Sequence, residues 1–312
     1  MSEEILPSWR PGQTRDALLA FLDAAEEVPV EVRVAYFDND GTLWCERPTY
    51  VQYDFFVDEL QRRAATDADI AERPEFAAVL AGDSARIAEL GLPRIALALA
   101  ELFAGLTPAE FSARVREFAG RTRHPVLGRG LAGLRYLPML ELLDELRRHE
   151  FTIGIVTGGG TDFLRSVSAE LYGVPPELVA GTLIEHEFGR TPAGTPELRR
   201  TTRLIGGANE GPAKVTNIQT QLGRRPLLAA GNSAGDADML DWALAGPGPG
   251  LALLVDHDDA AREFAYASES GTLTETEPIT AIAAGRGWTV ASMAADWTSV
   301  FPAEPTARPA QV

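Results

Sequence analysis

The stretch Val32-Arg33-Val34-Ala35-Tyr36-Phe37 runs directly into Asp38-Asn39-Asp40-Gly41-Thr42, and the reading of this junction decides the fold. The first six residues are dominated by β-branched and aromatic side chains and end abruptly in turn formers, so they read as a buried strand. Three further runs have the same character: Phe151 to Val156, Pro226 to Gly231 and Leu251 to Val255. Amphipathic helical patterns alternate with or follow them at Pro138 to His149, Thr161 to Tyr172, Gly211 to Leu222, Gly235 to Ala245 and Asp258 to Ser268. Strand, turn and helix in alternation imply an α/β fold: a Rossmann-like, doubly wound parallel sheet with helices on both faces.

From about Thr49 to Arg135 the periodicity is helical only, as in Val51 to Ala64, Ile95 to Ala104 and Pro108 to Phe118. The last of these opens with Thr107-Pro108-Ala109-Glu110, a capping signature with proline in the first turn. The expected layout is a discontinuous core from residues 1–47 and 136–312, with an all-helical lobe inserted over 48–135. Leu183 to Arg203 reads as a projecting hairpin, and residues 303–312 as a loose Pro-rich tail.

Composition narrows the function. The 312 residues carry 28 Lys+Arg against 45 Asp+Glu, a net charge of −17. Such a surface repels nucleic-acid backbones and anionic lipid, so the expected partner is a small molecule, with no nucleic acid and no membrane. Cys45 is the sole cysteine, which excludes an intrachain disulfide or a thiolate cluster and fits a reducing, cytoplasmic setting. The acidic start lacks the form of a secretory signal, and the most apolar stretch, Ile95 to Leu106, is interrupted by Glu101.

Ligands of parallel α/β sheets bind beyond the carboxyl ends of the strands. Continuing the period of two past Phe37 aims Asp38 and Asp40 to one side. Two close carboxylates resist joint ionisation, which points to a divalent cation or a shared proton between them, although Asp, Asn and Gly also build ordinary turns. Thr157-Gly158-Gly159-Gly160-Thr161 ends the second strand with a hydroxyl and exposed N–H groups suited to phosphate, or serves as a plain strand-to-helix turn. Lys214, in a chain whose basic residues are nearly all arginine, offers a compact charge for a phosphoryl oxygen, against the alternative of a solvated lysine. Asn232 and Asp236 carry hard oxygens of the kind Mg²⁺ takes, and Asp236 and Asp238 would also complement a helix dipole.

Taken together, Phe37 to Thr42, Thr157, Lys214 and Gly231-Asn232-Ser233-Ala234-Gly235-Asp236 resemble the four motifs of the haloacid dehalogenase-like hydrolases, in the usual order. The helical lobe resembles the cap of phosphoserine phosphatase-like members, and the paired Asp38 and Asp40 resemble the phosphatase branch. The resemblance implies a Mg²⁺-dependent phosphatase of a small phosphomonoester, with a phosphoserine-like substrate among the options. Asp38 would be the nucleophile that forms an aspartyl-phosphate, and Asp40 the general acid/base. Thr157, Gly158 and Lys214 would hold the phosphoryl group, and Asp38, Asp40, Asn232 and Asp236 the metal. Asn232 departs from the pattern, because many relatives carry Asp there. Glu46 and Arg47 are candidate substrate contacts at the lobe's entrance, Trp44 and Tyr50 candidate pocket walls, and His257 a group beside the site. A phosphotransferase using the same intermediate, or a non-catalytic binder of a phosphorylated ligand, are the alternatives.

Overall fold

The computed structural model describes residues 5–270, 272–273 and 277–303. Seven strands form one sheet: β1 (Val34–Phe37), β2 (Thr152–Gly160), β3 (Val179–Arg190), β4 (Pro196–Ile205), β5 (Leu228–Gly231), β6 (Leu251–Asp256) and β7 (Thr289–Ser292). Their order is β4-β3-β2-β1-β5-β6-β7. Every neighbouring pair is parallel except β3 and β4, the expected hairpin, which is antiparallel.

β1 shows why the sheet is doubly wound. Ala35 and Phe37 pack into one apolar cluster with Leu18, Phe21 and Leu142, while Val34 and Tyr36 pack into another with Met239, Leu240 and Ile218. Each face of the strand is therefore covered, as its continuous apolar sequence requires. Phe37 lies level with Ile155 of β2 and Ala230 of β5, so the segments that follow these three strands start at nearly one height. From β1 the chain winds outward through β2, β3 and β4 on one side and then returns to place β5 against β1 on the other, which makes this the switch point of the sheet.

Between β1 and β2 the residues form the helices Val51–Ala64, Pro74–Ala81, Ser84–Leu90, Leu92–Glu101 and Pro108–Arg121. The capping box forms as the sequence indicates: Glu110 N donates to Thr107 Oγ1 at 3.2 Å and Thr107 N to Glu110 Oε2 at 2.7 Å. These helices share their core with the sheet domain through Phe55, which stacks on Phe103 at 4.8 Å and meets Phe163 at 5.5 Å. They also grip the sheet edge, since Gly105 N donates to Arg200 O and Arg200 N to Leu106 O.

Glu59 ties the helices to one another. It is 4% exposed and accepts from Arg62, Arg63 and, on the last helix, Arg114 at 2.7–3.0 Å. Burial alone would raise its carboxyl pKa, but the hydrogen bonds and charges of the three arginines outweigh burial and hold it below the usual value. Glu59→Gln is expected to cost about 1–2 kcal/mol at neutral pH, less than a fully buried pair because the arginines reach water. A depressed carboxylate stabilises the fold above its unfolded pKa and loses that contribution as pH falls through the folded value, so the cost should vanish in acid. Urea midpoints of both proteins across pH 3–8 check this.

Five expected elements differ. The second strand, expected to end at Val156 with a turn over Thr157 to Thr161, runs on through Gly160, where Thr182 Oγ1 donates to Gly158 O at 2.7 Å and holds this segment against β3. Asp258 to Ser268 is not a helix, because its side chains are taken by tertiary partners: Asp258 accepts from Ala294 N at 2.8 Å, and Arg262 donates to the carbonyls of Trp297 and Met293. The helix over Thr161 to Tyr172 is two, Thr161–Arg165 and Ser168–Tyr172. Ser166 Oγ bonds back to Asp162 O at 2.7 Å, and Val167 leaves the helical region to bury its side chain. The first strand starts at Val34, after a 3₁₀ turn at Val30–Val32. Gly211 to Leu222 is a short helix, Pro212–Asn217, that widens into a π-helical turn at Ile218–Leu222. Of the expected tail, residues 304–312 lie outside the described residues; just before it, Phe301 is held by the Tyr136 ring and the Arg129 guanidinium. Among the described residues no helix is long and apolar enough to cross a membrane.

Candidate active site

A cavity of about 730 Å³ opens beyond the carboxyl ends of β1, β2 and β5, with Asp38, Asp40, Gly158, Lys214 and Asn232 in its wall. The backbone after β1 is set first: Asp38 N donates to Ala230 O at 2.8 Å, and Asn39 O accepts from the amides of Thr42, Leu43 and Trp44. This tight turn needs Gly41, whose φ is +71° and whose added Cβ would lie 2.1 Å from Asn232 Nδ2. Gly41→Ala combines backbone strain with displacement of Asn232. A stability loss of more than about 1 kcal/mol is expected, together with a fall in any activity that uses Asn232, both read on the same sample.

Lys214 is 2% exposed, not solvated. Its Nζ donates to Asp38 Oδ1 at 2.5 Å, Asp236 Oδ1 at 2.6 Å and Val156 O at 2.8 Å, which uses all three ammonium protons. Burial would lower its pKa, but the carboxylates of Asp236 and Asp38 outweigh burial and hold it above the ordinary lysine value. One ammonium does not neutralise all the acids around it. Burial and the charge of Asp236 push the Asp38 carboxyl well up, with Lys214 only partly opposing. Asp40 is also raised by burial, against hydrogen bonds that include Trp44 Nε1 to Asp40 Oδ1 at 2.8 Å.

Asp236 Oδ2 accepts from Asn232 N and Ser233 N, both at 3.0 Å, so this carboxylate shapes the loop after β5 as well as binding the lysine. Asn232 is 2% exposed; its amide donates to Glu46 Oε1 and Ser268 Oγ, and its Oδ1 accepts from Thr42 Oγ1, each at 3.3 Å. Asp238 is exposed and stands apart from the cluster.

On β2, Thr157 Oγ1 accepts from Gly159 N at 3.0 Å, which leaves its own proton to donate. Thr157 does not line the cavity, whereas Gly158, Gly159, Gly160 and Thr161 do. Glu46 lines the cavity and is 7% exposed, with its pKa raised to about 7 chiefly by burial. Arg47 turns away and lies over the Tyr266 ring at 4.3 Å. Tyr50 lines the cavity and Trp44 binds Asp40 instead. Of the arginines in the helical block, Arg62 and Arg63 go to Glu59, Arg86 to Glu89 and Arg94 to Glu75.

His257 is expected beside the site from the sequence, but several of the partners around it and around Cys45 are not. His257 Nε2 lies 2.8 Å from Gly41 O and its ring stacks on Tyr266 at 4.4 Å, and Tyr266 OH donates to Glu46 at 2.9 Å. Glu263 accepts from Tyr136 OH and Cys45 Sγ, each at 3.0 Å. From the helical block, Gln52 Oε1 accepts from Gly160 N at 2.7 Å. A helical reading of 258–268 hides Glu263 and Tyr266, and Gln52 carries no signal beyond a polar residue in a first helical turn.

Among solved structures, a protein of unknown function from Bordetella pertussis Tohama I is 19% identical, with a TM-score of 0.48 over 83% of this chain and 97% of that one. A probable phosphoserine phosphatase from Vibrio cholerae is 17% identical, with a TM-score of 0.38 over 71% and 55%. Cytosolic 5'-nucleotidase IIIB bound to cytidine is 15% identical, with a TM-score of 0.41 over 81% and 83%. No curated protein matches the chain. The model of the family described as haloacid dehalogenase-like hydrolase matches residues 35–241. That span begins in β1 and holds the buried lysine with every acid around it, and the chain belongs to the haloacid dehalogenase-like hydrolases.

Proposed function

We propose that this hydrolase is a Mg²⁺-dependent phosphatase that cleaves a phosphomonoester through an aspartyl-phosphate on Asp38. The observation that carries the reading is the buried Lys214 ammonium between Asp38 and Asp236 at the cavity floor, beside a second acid, Asp40, of raised pKa.

The donor set fits Mg²⁺. Asp38, Asp40, Asn232 and Asp236 offer only oxygens toward a cation, and three acids against one ammonium leave negative charge uncompensated in a dry site. Among the described residues no three His, Cys, Asp or Glu side chains form a ready cage. Mg²⁺ is usually held through one or two carboxylates and keeps several waters. Bound there, Mg²⁺ offsets repulsion between the carboxylates and an incoming phosphate.

The chain's own residues do the rest. A carboxylate oxygen of Asp38 bonds to phosphorus while the bond from phosphorus to the ester oxygen breaks, and Asp40 gives its proton to that departing oxygen. Asp40, now ionised, takes a proton from water as the water oxygen attacks phosphorus; the bond to Asp38 breaks and inorganic phosphate leaves. Lys214 orients Asp38 and faces the phosphoryl charge, with the Gly158 backbone as a further holder, while Thr157, outside the cavity lining, steadies this segment by accepting from Gly159 N. The helices over residues 48–135 act as a cap, closing one side of the cavity and excluding water.

Phosphate release from a panel of phosphomonoesters, with Mg²⁺ or with chelator, tests the reading. Release that requires Mg²⁺ is expected, and no release from any ester overturns it.

A further inference from the structure

Resting on that phosphatase reading, we infer that the group esterified to phosphate is apolar and bulky, an alkyl chain or aromatic ring system and not a three-carbon amino-acid ester. At about 730 Å³ the cavity is of the size that encloses a drug-sized molecule. Only its floor is built from the acids and Lys214. Much of the remainder is walled by apolar side chains, among them Phe56, Leu97, Leu99, Phe111, Phe163 and Leu204. They come from three helices of the inserted block, the short helix after β2, and β4.

Two further observations agree. Leu92, Leu97 and Leu204 line the cavity yet are 60%, 40% and 47% exposed. Leucines left in water on adjoining elements around one opening mark a binding face rather than scattered surface apolarity. Three of the charged groups set into the wall are, in turn, already engaged. Arg200 is paired with Asp162 and lies 3.9 Å over the Phe111 ring. Glu210 accepts from Thr272 N at 3.1 Å and Thr272 Oγ1 at 2.7 Å, and Glu46 is held by Tyr266 and Asn232. A substrate bearing an ammonium and a carboxylate would have to break these pairs, while an apolar one need only displace water. Glu269, also in the wall, is exposed.

The test is kcat/KM for ethyl, butyl, hexyl and octyl phosphate and for phosphoserine, with Mg²⁺ and below micelle-forming concentrations. A fully buried methylene is worth roughly fourfold, so octyl over ethyl phosphate should reach at least about 50-fold, with phosphoserine near ethyl phosphate. Ala96, exposed on the cavity wall, supplies a blocking variant: Ala96→Trp should cut the octyl-to-ethyl ratio at least about tenfold, and Leu204→Asp should do the same by making the rim polar. The ratios reported by these two variants bear on the cavity and not on overall folding. If esters are hydrolysed but the rate is flat with chain length, or phosphoserine is preferred, the phosphatase reading stands and this inference falls. If no ester is hydrolysed, the phosphatase reading falls, and calorimetry of the matching alkyl phosphonates still decides the cavity: affinity that rises with chain length upholds an apolar ligand, and flat affinity overturns it.

Discussion

Asp38→Asn is expected to lower phosphate release by roughly 10⁴-fold or more, the scale seen when a nucleophile is removed from a site whose parts act as a unit. The substitution keeps the shape of the side chain, and its amide oxygen can still accept from Lys214 Nζ, which now lies 2.5 Å from the Asp38 carboxylate. It also removes one of the buried negative charges. Stability should therefore change by no more than about 1 kcal/mol in either direction, because a lost charge-assisted hydrogen bond is set against relieved repulsion with Asp236. The two readouts separate chemistry from folding. Acid-quenched wild-type protein given labelled phosphomonoester should carry label, and the variant none. Turnover that survives in a folded Asp38→Asn protein would refute Asp38 as the nucleophile and with it the proposed intermediate.

The site was legible wherever the chemistry sits next to a strand end in the sequence. Asp38 follows four buried residues that alternate between two apolar clusters, and a period of two carries that alternation into the turn. Asn232 and Asp236 follow β5 in the same way. Lys214 was conspicuous by composition, but its fate was not, since a lysine near a helix start is ordinarily solvated; only the fold brings Asp38 and Asp236 to it across 176 and 22 residues. Where local pattern and tertiary contact compete, the pattern misleads. Residues 258–268 have helical periodicity, yet their acids and Arg262 cap and bridge distant backbone, and Tyr266 is drawn to Glu46. The reverse holds for Gln13–Ala25, a helix that buries Leu18, Phe21, Leu22 and Ala25: its spacing of three and four is plain in the sequence, and it lies outside the alternating pattern that guided the reading. The apolar part of the cavity is not legible in the sequence. Its apolar wall joins Phe56, Leu97, Phe163 and Leu204, each of which looks in isolation like an ordinary core or surface residue.

Lys214→Met tests the other half of the cluster. Methionine is near enough in length to fill the buried space, but it supplies none of the three donors that now satisfy Asp38, Asp236 and the Val156 carbonyl. Removing one partner of a buried ion pair leaves charge without compensation, and here two carboxylates lose their cation, so a loss of about 3–5 kcal/mol is expected in chelator. Activity should fall by roughly 10²–10³-fold, the effect of deleting one preorganised group that stabilises developing charge. Mg²⁺ distinguishes an electrostatic cause from a packing defect. A cation that binds the native acids and not the unfolded chain raises stability by mass action, and its binding should be felt more strongly where the ammonium no longer competes for the same oxygens. The melting temperature of Lys214→Met should thus rise more with added Mg²⁺ than that of the wild type. An equal or smaller rise would mean that Asp38 and Asp236 are not the acids that hold the metal, even if phosphate release itself proves Mg²⁺-dependent.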